Sequence, residues 1–83
     1  MPLENLKLAP KKTVGTKQTL KAVEKGMARM VFIASDAEPR VTRSLLQSCE
    51  SQGIPVVEVD TMAELGKACG IDVGSASAAI LKD

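Results

Sequence analysis

Met30-Val31-Phe32-Ile33-Ala34 is the longest uninterrupted apolar run in the chain, and Ser35-Asp36-Ala37-Glu38-Pro39 follows it directly. A strand with one wet face alternates apolar and polar residues; this one is apolar on both faces, the mark of a strand covered on both sides. Downstream, Pro39 suits the first turn of a helix, with Val41, Leu45, Leu46 and Cys49 as its inner face and Gly53 at its end. Pro55-Val56-Val57-Glu58-Val59 is short and β-branched, so it reads as a second strand. Thr61-Met62-Ala63-Glu64 has the spacing at which a threonine and a glutamate satisfy each other's unpaired amides, opening a further helix that stops at Gly70. Ile71 to Ser75 reads as a loop and Ala78-Ala79-Ile80-Leu81 as a last short strand. Upstream, Thr16 is a candidate N-cap for a helix over Lys17 to Lys25, with Leu20, Val23 and Met27 at helical spacing and Gly26 at its stop. Ser35 and Asp36 stand where they would cap the turn into the Pro39 helix. Helices alternating with strands around a doubly covered strand predict an α/β fold: a three-layer α-β-α sandwich with a small mixed central sheet. No repeat, low-complexity stretch or linker divides residues 1–83, so a single domain is expected.

Several chemistries are excluded by absence. The chain has no histidine, so neither a Ser-His nor a Cys-His couple can be assembled. Gly15-Thr16-Lys17 has the letters of a phosphate loop in the wrong order, and no Gly-x-Gly-x-x-Gly exists. With no Cys-x-x-Cys either, no metal or cofactor is implied; Cys49 and Cys69 read as buried small hydrophobes of a reducing compartment. The five-residue apolar run is far below the ~20 needed to cross a bilayer, and the N-terminus shows no basic-then-apolar leader. A cytoplasmic protein without a membrane association is therefore expected. Phe32 is the only aromatic residue and lies inside the central strand, so base-stacking platforms of the RRM or OB type are ruled out.

The net charge of +1 conceals a gradient. Residues 1–29 hold seven basic residues (Lys7, Lys11, Lys12, Lys17, Lys21, Lys25 and Arg29) against Glu4 and Glu24, a balance of +5; residues 30–83 hold four basic against eight acidic, a balance of −4. Such a pole suits a localised phosphate contact, although a helix simply decorated with solvated lysines has the same composition.

Three segments carry a more specific signal. Gly15-Thr16-Lys17-Gln18-Thr19-Leu20-Lys21-Ala22-Val23-Glu24-Lys25-Gly26 resembles the signature helix of the ribosomal superfamily that contains the archaeal seven-Ae and eukaryotic thirty-e large-subunit proteins. Ile33-Ala34-Ser35-Asp36-Ala37-Glu38-Pro39 is similar to that superfamily's strand-end motif, and Leu65-Gly66-Lys67-Ala68-Cys69-Gly70-Ile71-Asp72-Val73 to its final helix and loop. The three occur in the family's order and span about residues 10 to 81, with the likeness strongest to the short bacterial members, which also carry Lys-Gln in the first helix.

This resemblance implies an RNA-binding protein, not an enzyme, that recognises and stabilises kink-turn RNA: a duplex sharply bent at a bulge beside tandem sheared G·A pairs. The ribosome or a structured regulatory RNA is the implied setting, and a monomer the implied state. By the same correspondence Gly15 and Thr16 form the helix tip near phosphate, Lys17, Gln18 and Lys21 face the G·A guanines, and Lys25 contacts the backbone. Ile71 and Val73 cover extruded bulge bases, and Asp72 between them completes the set. One departure stands out: archaeal members carry Asn-Glu where this chain has Lys17-Gln18. A carboxylate only accepts, whereas Gln18 both accepts and donates, which weakens discrimination for guanine edges. The alternative is a protein-interaction module on the same fold, without an RNA target, using the acidic body as its surface.

Overall fold

In the computed structural model, which describes residues 2–82, the doubly apolar run lies in strand β2, Ala28–Ala34. Around it the chain forms α1 (Pro2–Leu8), β1 (Lys12–Val14), α2 (Thr16–Glu24), α3 (Pro39–Gln52), β3 (Val56–Val59), α4 (Met62–Ala68) and β4 (Ser77–Leu81). The sheet order is β1-β4-β2-β3. β2 and β3 are parallel, with Val31 opposite Val56, while β4 inserts antiparallel between β1 and β2, with Val14 opposite Ala78 and Phe32 opposite Ala78 from the other side. The sheet is mixed, and both of its faces are covered, as the sequence predicts.

The period-2 alternation of β2 sorts its side chains between two cores. Val31 and Ile33 join Ala22 and Val23 of α2, Leu45 and Cys49 of α3, and Ala79 of β4. Phe32 and Ala34 point the other way, toward Leu6 of α1, Leu65 and Ala68 of α4, Val59, Ala78 and Ile80. Phe32, Val31, Leu6, Leu45 and Leu65 are all fully buried, each contributing about 1.5–3 kcal/mol of transfer free energy.

Several local expectations are corrected. Gly15, not Thr16, is the N-cap of α2. Val41 and Leu46 do not form the inner face of α3: they are 44% and 42% exposed, while Thr42, Leu45 and Cys49 are buried. The buried stripe keeps i, i+3, i+7 spacing, and Thr42 joins it because its hydroxyl donates to the Pro39 carbonyl, leaving a methyl for the core. Met27 is exposed because the chain has already turned at Gly26, whose φ is +71°. Asp36 does not cap α3, whose N-cap Glu38 makes no side-chain cap bond. Asp36 instead accepts from the Met62 amide at 2.8 Å, and Thr61 Oγ1 accepts from the Glu64 amide at 3.1 Å, so two side chains cap α4. Gly53 ends α3 in the left-handed conformation, as expected. Helix α1 and strand β1 have no counterpart in the sequence reading; Lys12 joins them by donating to the Leu6 and Lys7 carbonyls at 3.1 and 3.2 Å, which satisfies the C-terminus of α1.

Candidate nucleic-acid interface

Because β1, β2 and β3 run parallel and β4 opposes them, one end of the sheet gathers the tip of α2, the loops after β2 and β3, the start of α4 and the loop over residues 71–76. At that end Gly15 adopts φ 94°, ψ 150°, a conformation that a residue with a Cβ adopts only under strain. Nothing lies within 4 Å of where its Cβ would stand, so the tip is open as well as sharply turned. The first helical bond of α2 runs from the Thr19 amide to the Gly15 carbonyl at 3.0 Å. The amides of Thr16, Lys17 and Gln18 precede it, no described side chain caps them, and the first turn holds no acid. A helix N-terminus in that state carries a partial positive charge and free donors, which is what an anionic oxygen needs.

Lys17, Gln18, Lys21 and Lys25 are all exposed. At 100° per residue they share one arc of α2. Lys17 and Gln18 sit at the tip and Lys21 one turn along. Lys25 is the C-cap, about 12 Å from Lys17 at 1.5 Å per residue, so it belongs to the far end. Thr16 does not project freely, since its hydroxyl pairs with that of Ser77. Below it, the buried Thr19 hydroxyl pairs with Thr13 Oγ1 at 2.8 Å, which ties α2 to β1.

The 71–76 loop is seated on α4 by two amide bonds, Ile71 to the Gly66 carbonyl at 3.1 Å and Ser75 to the Met62 carbonyl at 3.0 Å. Gly66 permits this close approach: a Cβ there would overlap the Val73 carbonyl oxygen. Within the loop the three expected residues differ. Val73 is 69% exposed and Asp72 is exposed, whereas Ile71 is half-buried and packs on the α1–α4 core. On the α4 side of the loop lies a shallow cleft of about 300 Å³ lined by Ala63, Lys67 and residues 71–74.

Charge divides this end of the molecule. Lysines line α2, while Asp36, Asp60, Glu64 and Asp72 occupy the loops and helix start around α4, with Lys67 the one base on that helix, and Glu38 stands at the start of α3. Asp36 is engaged as a cap and Glu38 pairs with Arg40 at 3.2 Å. The balance of formal charge therefore favours an anion along α2 over the start of α4. The cysteines take no part: both are buried and unpaired, and burial raises both thiols above their ordinary range, with Lys12 partly opposing the rise at Cys69. Among the described residues no group of three His, Cys, Asp or Glu could hold a metal ion, and no helix is long and apolar enough to cross a membrane.

An open, uncapped helix tip beside a loop that exposes Val73 defines a small α/β protein with a surface suited to a phosphate-bearing polymer. The family is fixed by comparison with known proteins: residues 3–83 match the model of the Ribosomal protein L7Ae/L30e/S12e/Gadd45 family, and the chain belongs to it. An RNA-binding protein of Halalkalibacterium halodurans is 48% identical over 82 residues, covering 99% of this chain and 100% of its own. One from Caldanaerobacter subterraneus is 54% identical over 70 residues, covering 84% and 85% of the two chains. Among solved structures, the Giardia lamblia 15.5kD RNA binding protein superposes with a TM-score of 0.88 at 33% identity, covering 99% of this chain and 72% of that one.

Proposed function

We propose that this protein binds RNA and, specifically, recognises and stabilises the kink-turn, in a ribosomal or structured regulatory RNA. The observation that carries the proposal is the acid-free, uncapped tip of α2, with Gly15 at its apex, placed beside the exposed Val73 loop. The family and the names of its relatives support RNA as the ligand; the shape of the site supports the kink. Regular A-form RNA hides its base edges in a deep, narrow groove that no helix enters. A kink opens that groove. The tip of α2 then enters, its amides meet phosphate, and Lys17 and Lys21 donate to guanine O6 and N7 while Gln18 pairs with a base edge. Val73 covers an extruded base, an aliphatic surface in place of aromatic stacking, with Ile71 lending its exposed half.

A protein complementary only to the bent form shifts the RNA toward it. Moving a population from 1:99 to 99:1 requires ~5.5 kcal/mol of differential affinity. A kink-turn labelled at both ends should gain energy transfer when the protein is added without Mg²⁺, and a straight duplex of equal length should bind far more weakly. Equal affinity for the two RNAs, or binding without a change of end-to-end distance, refutes the proposal; binding to neither RNA favours a protein partner instead.

A further inference from the structure

The two halves of the interface lie some sixty residues apart in sequence, and hydrogen bonds that join them converge on one side chain and its carbonyl. Ser77, the first residue of β4, is completely buried. Its carbonyl accepts from the Gly15 amide at 2.8 Å and from the Ser75 hydroxyl at 2.7 Å. Its hydroxyl pairs with that of Thr16, the first residue of α2. On one side these bonds hold the apex of α2, on the other the end of the 71–76 loop. We infer that Ser77 is a positioning residue for RNA recognition: it latches the α2 tip to the loop, so that the helix amides and Val73 present themselves to the RNA as one rigid unit. This rests on the reading of the interface in the preceding subsection.

The physical case is one of preorganisation. A sheet strand is the stiffest support the fold offers, and Ser77 is itself held opposite Ile33 in the centre of the sheet. Without the Thr16–Ser77 bond, α2 keeps its backbone attachment through Gly15 but loses the contact that sets the rotation of its first turn. A tip free to rotate must be ordered on binding, and that ordering reduces affinity for a ligand that demands one geometry. A ligand that needs only lysines on a surface is indifferent to it. The buried hydroxyl of Ser77 is otherwise unexplained, since an alanine would fill the same place in the core without a polar atom to satisfy.

The test is Ser77→Ala, with Ser75→Ala breaking the loop side of the latch, and the serine variants compared with wild type by two readouts. In the first, kink-turn and straight-duplex affinities are measured well below the melting temperature of each variant. Loss of one net hydrogen bond's worth of positioning should weaken the kink-turn roughly three- to tenfold and leave the duplex unchanged. In the second, amide exchange is followed in the RNA-free protein. The Gly15 and Thr19 amides should exchange about tenfold faster in Ser77→Ala, since local opening is released, while Val31 and Phe32 in the central strand keep their protection. An equal loss for both RNAs with uniformly faster exchange means that Ser77 merely stabilises the fold, and no change in either readout means that there is no latch; both overturn the inference. If wild type itself fails to distinguish kinked from straight RNA, the proposed function falls, and the latch stands or falls on the exchange pattern alone. If Ser77→Ala does not fold, the same readouts on Ser75→Ala decide, with the Ser75 amide as the reporter.

Discussion

Gly66→Ala should both destabilise the protein and weaken its RNA binding, for one geometric reason. A Cβ at position 66 would overlap the Val73 carbonyl oxygen and stand 3.0 Å from the Val73 carbonyl carbon and 3.1 Å from Gly74 Cα. All three are backbone atoms, so no side-chain rotation relieves the crowding. The loop is also pressed against the start of α4 at Gly74, where a Cβ would stand 3.1 Å from Met62 Cβ. It must lift away, straining the Ile71-to-Gly66 and Ser75-to-Met62 bonds. Overpacking of this kind costs about 1–3 kcal/mol, offset by up to about 1 kcal/mol because alanine is the better helix former. A net loss of about 1–2 kcal/mol corresponds to a fall in Tm of roughly 5–15 °C for a chain of this size. Thermal melting followed by circular dichroism measures it, and kink-turn titration at a temperature where the variant is fully folded measures the displaced Val73. A Tm equal to or above wild type would refute the close approach, and unchanged RNA affinity in a destabilised variant would remove the loop from the interface.

Gln18→Ala should cost ~1–3 kcal/mol on a kink-turn and much less on an RNA whose G·A pairs are replaced by Watson–Crick pairs; an equal penalty on both shows that Gln18 does not read bases. Lys25→Ala should weaken both RNAs alike and flatten the salt dependence by about one unit, from a wild-type log–log slope of about −3 to −5 for roughly three to five neutralised phosphates; a slope near −10 would mean a diffuse coat and not a local contact. Val73→Asp should reduce RNA binding and leave urea stability untouched, whereas Ile71→Asp should reduce both, because only Ile71 packs on the core; equal stability losses would place Val73 in the core too. Burial holds the Cys49 and Cys69 thiols above the ordinary 9.0, so on unfolding they ionise at lower pH than in the folded chain. The unfolded state then binds fewer protons, and stability should be level below about pH 9 and fall above it; Cys49→Ala should shallow that alkaline decline in urea titrations, and a decline of unaltered steepness would assign it to other groups.

The central strand announces itself because a fully apolar five-residue run has few alternatives, and Gly53, Thr61 and Glu64 punctuate the helices through backbone chemistry that acts locally. What was not legible depends on partners distant in sequence. Helix α1 is two turns long, too short to show a period, and exists because Leu6 finds the α4 core and Lys12 its C-terminal carbonyls. Asp36 and Thr61 share the capping of α4 although they are twenty-five positions apart, and an aspartate that follows a strand looks locally like the cap of the next helix. Val41 and Leu46 are hydrophobic enough to suggest an inner face, but a buried threonine that satisfies its own hydroxyl displaces them. At the interface, Gln18, Lys21 and Lys25 at i, i+3, i+7 are what any solvated helix face provides, and only the family resemblance singles them and Lys17 out as candidate contacts. The difference between Ile71 and Val73 was not legible, because neighbouring loop residues of like character are sorted only by where α4 lies.

The same placement explains how a domain with one aromatic residue could select a shape. Lys17 and Gln18 leave the first turn of α2 without a carboxylate, which favours phosphate there, and the Gln18 amide both accepts and donates, which discriminates base edges less sharply. Selectivity must then come mainly from geometry. On the proposed reading, the acids around α4, Asp72 among them, disfavour an RNA backbone beyond the loop. The insertion of β4 between β1 and β2 fixes the distance and angle from helix tip to loop, because Ser77 at its start bonds to both. A straight duplex can satisfy the lysines without meeting the loop; a kinked one can satisfy both at once. On the proposed reading, specificity of this kind is a property of the assembled sheet, and the residues that would enforce it, Gly66 and Ser77, are both buried.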